Sequence, residues 1–190
     1  INKKDINNAV NKNISTAMID RLTLNKERIE NIVTSLETII ELENPIGKIL
    51  SEWKRPNGLH FQKISVPIGV IGIIYESRPN VTIDASAIAI KAGNAVILRG
   101  GKDSFHTSLK LHNIINESFI AADLPKNTVQ IVPTIDRYAV DEMLKLDSYI
   151  DIIIPRGGKK LIQNVKKKSL IPVIKHSDGI CHIYVDREAD

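Results

Sequence analysis

Apolar positions change period along the chain. From Ile1 to Asp20 the sequence is polar, with apolar residues at Ile6, Val10, Ile14 and Met18. That four-residue spacing puts a narrow stripe on one or two short helices. Ile29, Ile32, Val33, Leu36, Ile39 and Ile40 then repeat at helical spacing, while Lys26, Glu30 and Glu37 fall on other faces. The pattern predicts a helix capped by Thr23, ended before Pro45 and laid over one face of a sheet. Pro56-Asn57-Gly58 is a turn signal between Trp53-Lys54 and Leu59-His60-Phe61-Gln62, so residues 53–65 read as a hairpin. Trp53 reads as a packing residue, in the core or at a subunit contact.

From Ile68 the pattern becomes that of buried strands. Ile68 to Ile74 is an apolar run, followed by the polar segment Tyr75-Glu76-Ser77-Arg78-Pro79-Asn80 and an Ala-rich stretch closed by Gly93-Asn94. A second apolar run, Ala95 to Leu98, empties into Arg99-Gly100-Gly101-Lys102. Strand, helix, strand and glycine turn together describe a βαβ unit. Asp103 or Ser104 can cap a helix to about Ala122. Residues 128–132 form a short strand, and Asp136 caps a helix through Leu146. Tyr149 to Ile154 is a near-continuous apolar strand interrupted by Asp151. Gly157-Gly158 opens a helix from Leu161 to Lys168, and Leu170–Ile174 and Ile180–Val185 read as two last strands. The fold class is therefore α/β: a Rossmann-like, mostly parallel sheet with helices on both faces, plus a small hairpin.

Composition narrows the classes of function. The 190 residues are 43% hydrophobic, 25% charged and only 4% aromatic, so the core rests on Ile, Val, Leu and Ala. A net charge of +4 suits an anionic small ligand but is too modest and scattered for nucleic acid. One cysteine excludes an internal disulfide framework and agrees with a cytoplasmic location. No apolar run reaches membrane-spanning length. The five histidines and single cysteine show no metal-ligand spacing. Lys166-Lys167-Lys168 suits a helix C-terminus and water.

Two segments echo each other. Ile97-Leu98-Arg99-Gly100-Gly101-Lys102 is matched by Ile154-Pro155-Arg156-Gly157-Gly158-Lys159. Each puts a glycine pair between basic residues at a strand end. Glycine lets the backbone approach an anion, a helix N-terminus offers free N–H groups, and Arg binds phosphate in bidentate fashion. In parallel sheets, ligands bind beyond the carboxyl ends of strands. Taken alone, the segments fit a phosphate cradle and two ordinary turns equally well.

These pieces also carry a likeness. Val66-Pro67-Ile68-Gly69-Val70-Ile71-Gly72, Tyr75-Glu76-Ser77-Arg78-Pro79-Asn80, Gly93 to Gly101, Ile154-Pro155-Arg156-Gly157-Gly158 and Cys181-His182-Ile183-Tyr184-Val185-Asp186 resemble the γ-glutamyl phosphate reductases (glutamate-5-semialdehyde dehydrogenases), a branch of the aldehyde dehydrogenase superfamily. The resemblance runs in the family's order over most of the chain. It implies NADP-dependent reduction of L-glutamyl 5-phosphate to L-glutamate 5-semialdehyde in proline biosynthesis. In that reaction a cysteine displaces phosphate to give a thioester, which accepts hydride from NADPH.

The same resemblance distributes roles. Residues 1–190 become a cofactor-binding domain, and the hairpin belongs to an oligomerisation element, so a homo-oligomer is expected. Arg99, Gly100, Gly101, Lys102, Ser104, Arg156, Gly157 and Gly158 are expected at the cofactor, with Arg99 and Lys102 favouring the 2′-phosphate of NADP. Ser77 and Arg78 are expected at the substrate, and Asn80 as an oxyanion donor; as purely structural alternatives, Asn80 or Thr82 caps a helix and Arg78 makes a surface ion pair. The family's nucleophile sits in a Thr-Cys-Asn-like motif that these 190 residues lack. Cys181 reads instead as a structural residue of a buried strand, with His182 facing away from it. The superfamily's general-base Glu is missing from residues 173–179, where His176 or Asp178 could substitute. The resemblance implies more chain on both sides, so a fragment, a processed chain or a shortened gene product is expected. A shortened, non-catalytic nucleotide-binding or assembly module is the rival reading.

Overall fold

The structure, a computed structural model, describes residues 1–175 and 183–187. Three helices lead: α1 (Asn2–Asn11), α2 (Thr16–Leu22) and α3 (Lys26–Glu41). A hairpin follows, β1 (Ile49–Lys54) and β2 (His60–Ile64), paired antiparallel around the Pro56-Asn57-Gly58 turn. The alternating part is β3 (Val70–Tyr75), α4 (Val81–Lys91), β4 (Ala95–Arg99), α5 (Phe105–Ala121), β5 (Val129–Ile131), α6 (Tyr138–Met143), β6 (Ile152–Arg156) and α7 (Lys159–Lys168). Its four strands lie in the order β5-β4-β3-β6, and every pairing is parallel.

The period of two along each strand divides the core into two layers. Ile71, Ile73 and Tyr75 of β3 join Val96 and Leu98 of β4 and Val129 of β5 on one face, under Ala89 of α4 and Phe119 of α5. On the other face Ile74 and Ile153 pack with Met143 and Val165 of α6 and α7. The expected doubly covered parallel sheet is thus what forms. Polar side chains pin the N-terminal ends of its strands. Asn94 Oδ1 accepts from the Ile68 and Gly69 amides at 2.7 and 3.0 Å, and Asp151 Oδ2 accepts from Val70 N at 2.8 Å. Asp151, the one charge in an apolar run, is there to hold the first residue of β3.

Other expectations need correcting. The cap of α3 is Asn25, whose Oδ1 accepts from Arg28 N at 2.9 Å. Thr23 instead spends its hydroxyl on the Ile19 carbonyl, because α2 runs on to Leu22. Only part of the α3 stripe is covered: Ile39 is buried, while Ile29, Val33 and Ile40 are exposed. Trp53 is not a core residue. It is 46% exposed and stacks on Phe61, ring centroids 5.4 Å apart, on a hairpin whose residues are all exposed. Residues 149–151 precede β6 rather than belonging to it. Leu170–Ile174 makes only a parallel bridge from Val173 to Ile153. Of Ile180–Val185, the described residues Ile183, Tyr184 and Val185 are exposed and irregular, having no neighbouring strand among the described residues. Cys181, His182, His176 and Asp178 lie outside the described residues.

Gly72 sets how closely α6 approaches the sheet. A Cβ there would lie 2.4 Å from Ile153 Cδ1 and 2.8 Å from Met143 Cε, both in side chains that are almost fully buried. Overpacking of this kind costs about 1–3 kcal/mol. Gly72→Val should lower unfolding free energy by that amount in urea, with the slope against denaturant unchanged.

Candidate functional site at the carboxyl ends of the strands

Three sequence motifs meet at one edge of the sheet. Register pairs Ile74 with Arg99 and Tyr75 with Arg156, so the turn after β3 lies between the two glycine pairs. The internal echo in the sequence is therefore an echo in space, one copy on each side of Glu76-Ser77-Arg78-Pro79-Asn80.

The two copies have diverged in use. Arg99 is only 7% exposed; its guanidinium donates to the Gly100 carbonyl and, at 3.1 and 3.2 Å, to those of Ile135 and Asp136. Nε is buried with no hydrogen-bond partner among the described residues. Burial lowers the Arg99 pKa, and burial raises that of Tyr75, whose hydroxyl lies 2.8 Å from Thr82 Oγ1. Arg99 thus clamps the end of β4 to the segment before α6. Ser104 is fully buried, with its hydroxyl 3.4 Å from the Gly101 carbonyl, and supports the same turn from beneath. Lys102 is exposed, and its charge is the one available to an anion at this turn.

At the second pair, Arg156, Gly157 and Gly158 are all exposed. Glu76, an acid the sequence reading passed over, reaches across from the β3 turn: its Oε2 accepts from Gly158 N at 3.0 Å. A Cβ on Gly157 would lie 2.6 Å from the Glu76 carboxyl carbon, so glycine is what admits the carboxylate. A carboxylate at the start of α7 also satisfies the helix dipole. The available signal was an acid in the first motif and a glycine pair lacking Cβ atoms in the third. Tested against a nicotinamide dinucleotide, the first turn fits, with an exposed cation beside a glycine pair. The second offers a phosphate the exposed Arg156, but its Gly158 amide is already held by a carboxylate.

The remaining residues of the β3 turn separate. Ser77 is buried, with its hydroxyl 3.4 Å from Asp103 Oδ2. Arg78 is exposed and its guanidinium has no protein partner among the described residues, so it makes no surface ion pair there. Asn80 occupies the N-cap position of α4, yet its side chain makes no cap. Its Nδ2 donates to Asp84 Oδ2 at 2.9 Å, which leaves one amide N–H for another acceptor. Thr82 is fully buried against Tyr75 and does not cap the helix either. Arg78 and Asn80 line a cleft of about 410 Å³ together with Arg21, Arg28, Asn31 and Asp84. Arg21, Arg28 and Asn31 come from α2 and α3, and nothing in their local sequence marks them. Among the described residues, no helix is long and apolar enough to cross a membrane, and no group of His, Cys, Asp and Glu is placed to hold a metal.

The pattern that defines the aldehyde dehydrogenase family matches residues 10–190. The chain belongs to that family. Within it, the chain is 50% identical over its whole length to a gamma-glutamyl phosphate reductase of Brucella suis and 53% identical to one of Paramagnetospirillum magneticum, covering 45% of each. It therefore spans under half the length of the curated relatives it matches. Its fold superposes on the gamma-glutamyl phosphate reductase of Thermotoga maritima with a TM-score of 0.93 at 39% identity, covering all of this chain and 46% of that one. The Saccharomyces cerevisiae enzyme gives 0.84 at 36% identity, with 48% of it covered. More distant members, such as a propionaldehyde dehydrogenase of Rhodopseudomonas palustris at 19% identity and a TM-score of 0.60, share the fold alone.

The contrast between the two basic residues of the first turn is testable by stability. Removing Arg99 takes the guanidinium from the carbonyls of Gly100, Ile135 and Asp136, and hydrogen bonds to charged groups contribute about 1.5–3 kcal/mol. Arg99→Ala should lower the unfolding free energy by roughly that much, whereas Lys102→Ala should stay within about 0.5 kcal/mol of wild type.

Proposed function

We propose that this chain forms the cofactor-binding part, and a portion of the acyl site, of an enzyme that reduces L-glutamyl 5-phosphate to L-glutamate 5-semialdehyde with NADPH. The observation that carries the reading is the convergence of the β3 turn with both Arg-Gly-Gly turns at one sheet edge, in a chain about half identical to reductases of that name. Gly100, Gly101 and Lys102 take the cofactor, with Lys102 rather than the buried Arg99 meeting the 2′-phosphate. Arg156 adds charge on the far side, next to Gly157 and Gly158. Ser77 orders the β3 turn, Arg78 takes an anionic group of the substrate, and the spare N–H of Asn80 faces the acyl oxygen. Bound NADPH supplies the hydride. The attacking thiolate comes from outside these residues, because Cys181 lacks the Thr-Cys-Asn-like setting. A cytoplasmic location and a homo-oligomer joined through the exposed β1–β2 hairpin complete the reading.

Calorimetric titration of the chain with NADPH and NADH tests it. NADPH should bind more tightly, and Lys102→Ala should weaken NADPH by about three- to tenfold while leaving NADH unchanged. Equal affinities, or a mutant that loses nothing, would sink the assignment. The same preparation, given glutamate semialdehyde and NADP, should show no enzymatic turnover, since covalent catalysis requires an exposed and activated nucleophile. Turnover abolished by Cys181→Ser would reverse the structural reading of that cysteine.

A further inference from the structure

The cleft of about 410 Å³ between α2, α3 and the β3 turn lies within the roughly 300–1,000 Å³ of small-molecule sites. Its charges are of two kinds. Arg28 and Asp20 neutralise each other: Nη2 meets Asp20 Oδ1 at 2.6 Å, and Nη1 donates to the Asp20 and Thr23 carbonyls. Arg21 and Arg78 remain as exposed guanidinium groups without a protein partner among the described residues. Asp84 lines the same cleft, and its carboxylate's hydrogen bonds among the described residues are to neutral groups: Asn80 Nδ2 at 2.9 Å and Ser35 Oγ at 3.4 Å. Its carboxylate keeps acceptor capacity for a cation.

The elbow that carries Arg21 is itself held in place. Asn2 donates from Nδ2 to the Leu22 carbonyl at 2.9 Å and accepts at Oδ1 from Leu24 N at 2.8 Å. Asp5, 2% exposed, anchors α1 to the start of α5 by accepting from Thr107 N and Oγ1 at 2.7 and 2.6 Å. Arg21 therefore projects from a braced part of the fold.

We propose that this cleft receives the α-amino-acid end of the substrate, its α-carboxylate on Arg21 and Arg78 and its α-ammonium on Asp84. The inference rests on the glutamyl-phosphate reading above and adds a head-group site to it. Guanidinium groups match a carboxylate in bidentate geometry. The acid beside them selects for a zwitterion, since it attracts an ammonium and repels a second anion such as a free phosphate. Arg78 lies on the turn that leads from the sheet edge into this cleft. The substrate would thus extend from its head group here toward the glycine turns, where the cofactor is placed.

The test is calorimetry on the full chain with L-glutamate, glutarate and inorganic phosphate, each titrated alone and in competition. L-Glutamate should bind, glutarate should bind about tenfold more weakly or worse because it lacks the ammonium, and phosphate should not displace L-glutamate. Arg21→Ala and the isosteric Asp84→Asn should each weaken L-glutamate by about tenfold and leave NADPH binding unchanged. Arg21→Lys, which keeps the charge and loses the fork, should also weaken it and serves if the alanine variant is unstable. No L-glutamate binding, equal binding of glutarate, displacement by phosphate, or indifference to both Arg21 variants overturns the proposal. NADPH titration of the same sample reports separately on the cofactor reading, so the two can fail independently.

Discussion

The structure depends on burying both faces of β3. That strand is flanked by β4 and β6 and covered by α4 and α5 on one face and by α6 and α7 on the other. A strand so enclosed has room for polar groups only at its ends. At the amino end Asp151 holds its first amide and Asn94 those of the two residues before it. At the carboxyl end Glu76, Arg78 and Asn80 are displayed at the sheet edge, between the turns of its two neighbours, while Ser77 is tucked beneath them. Gly72 is the local condition for this, since it lets Ile153 and Met143 close over the strand.

Such an arrangement explains why one sequence motif appears twice and does two things. On the β4 side the arginine is drawn under the sheet edge and spent on backbone carbonyls, so Arg99 contributes order and Lys102 contributes charge. On the β6 side Arg156 stays outside, and the Gly158 amide donates to the carboxylate of Glu76. That contact ties the turn after β3 to the start of α7. A shift in either turn is therefore felt by the other, and the hydrogen bond is charge-assisted, which makes it stronger than a neutral one.

What could be read from the sequence follows the range of the forces involved. The four strands of the sheet were legible as apolar runs ended by glycine turns, and their parallel pairing followed from the helices between them. Arg78, Asn80 and the glycine pairs were legible because each lies where a run ends. Contacts made across long stretches of chain were not. The partner of Glu76 is 82 residues away, and Asp5 reaches Thr107 across 102. Thr23 was misplaced as a cap because Ser, Thr, Asp and Asn compete for that role within a few residues. Trp53 is absent from the core, one of the two places expected for it, because the hairpin lies off the sheet's two cores.

Two different supports position the residues around the β3 turn. Residues that the sheet positions directly sit at the two Arg-Gly-Gly turns and the turn between them. Residues from α2 and α3 reach the site only because α1 is braced on α5 and holds the α2–α3 elbow through Asn2. Specificity that depends on Arg21 would then be sensitive to changes in Asp5 or Asn2, which touch no ligand. Loss of the Asp5 carboxylate leaves the Thr107 amide unsatisfied in a buried setting, a cost of about 1–3 kcal/mol, and the Thr107 hydroxyl with Asn2 alone. The head-group cleft should loosen before the sheet does, because the two cores on either side of β3 contain none of these contacts.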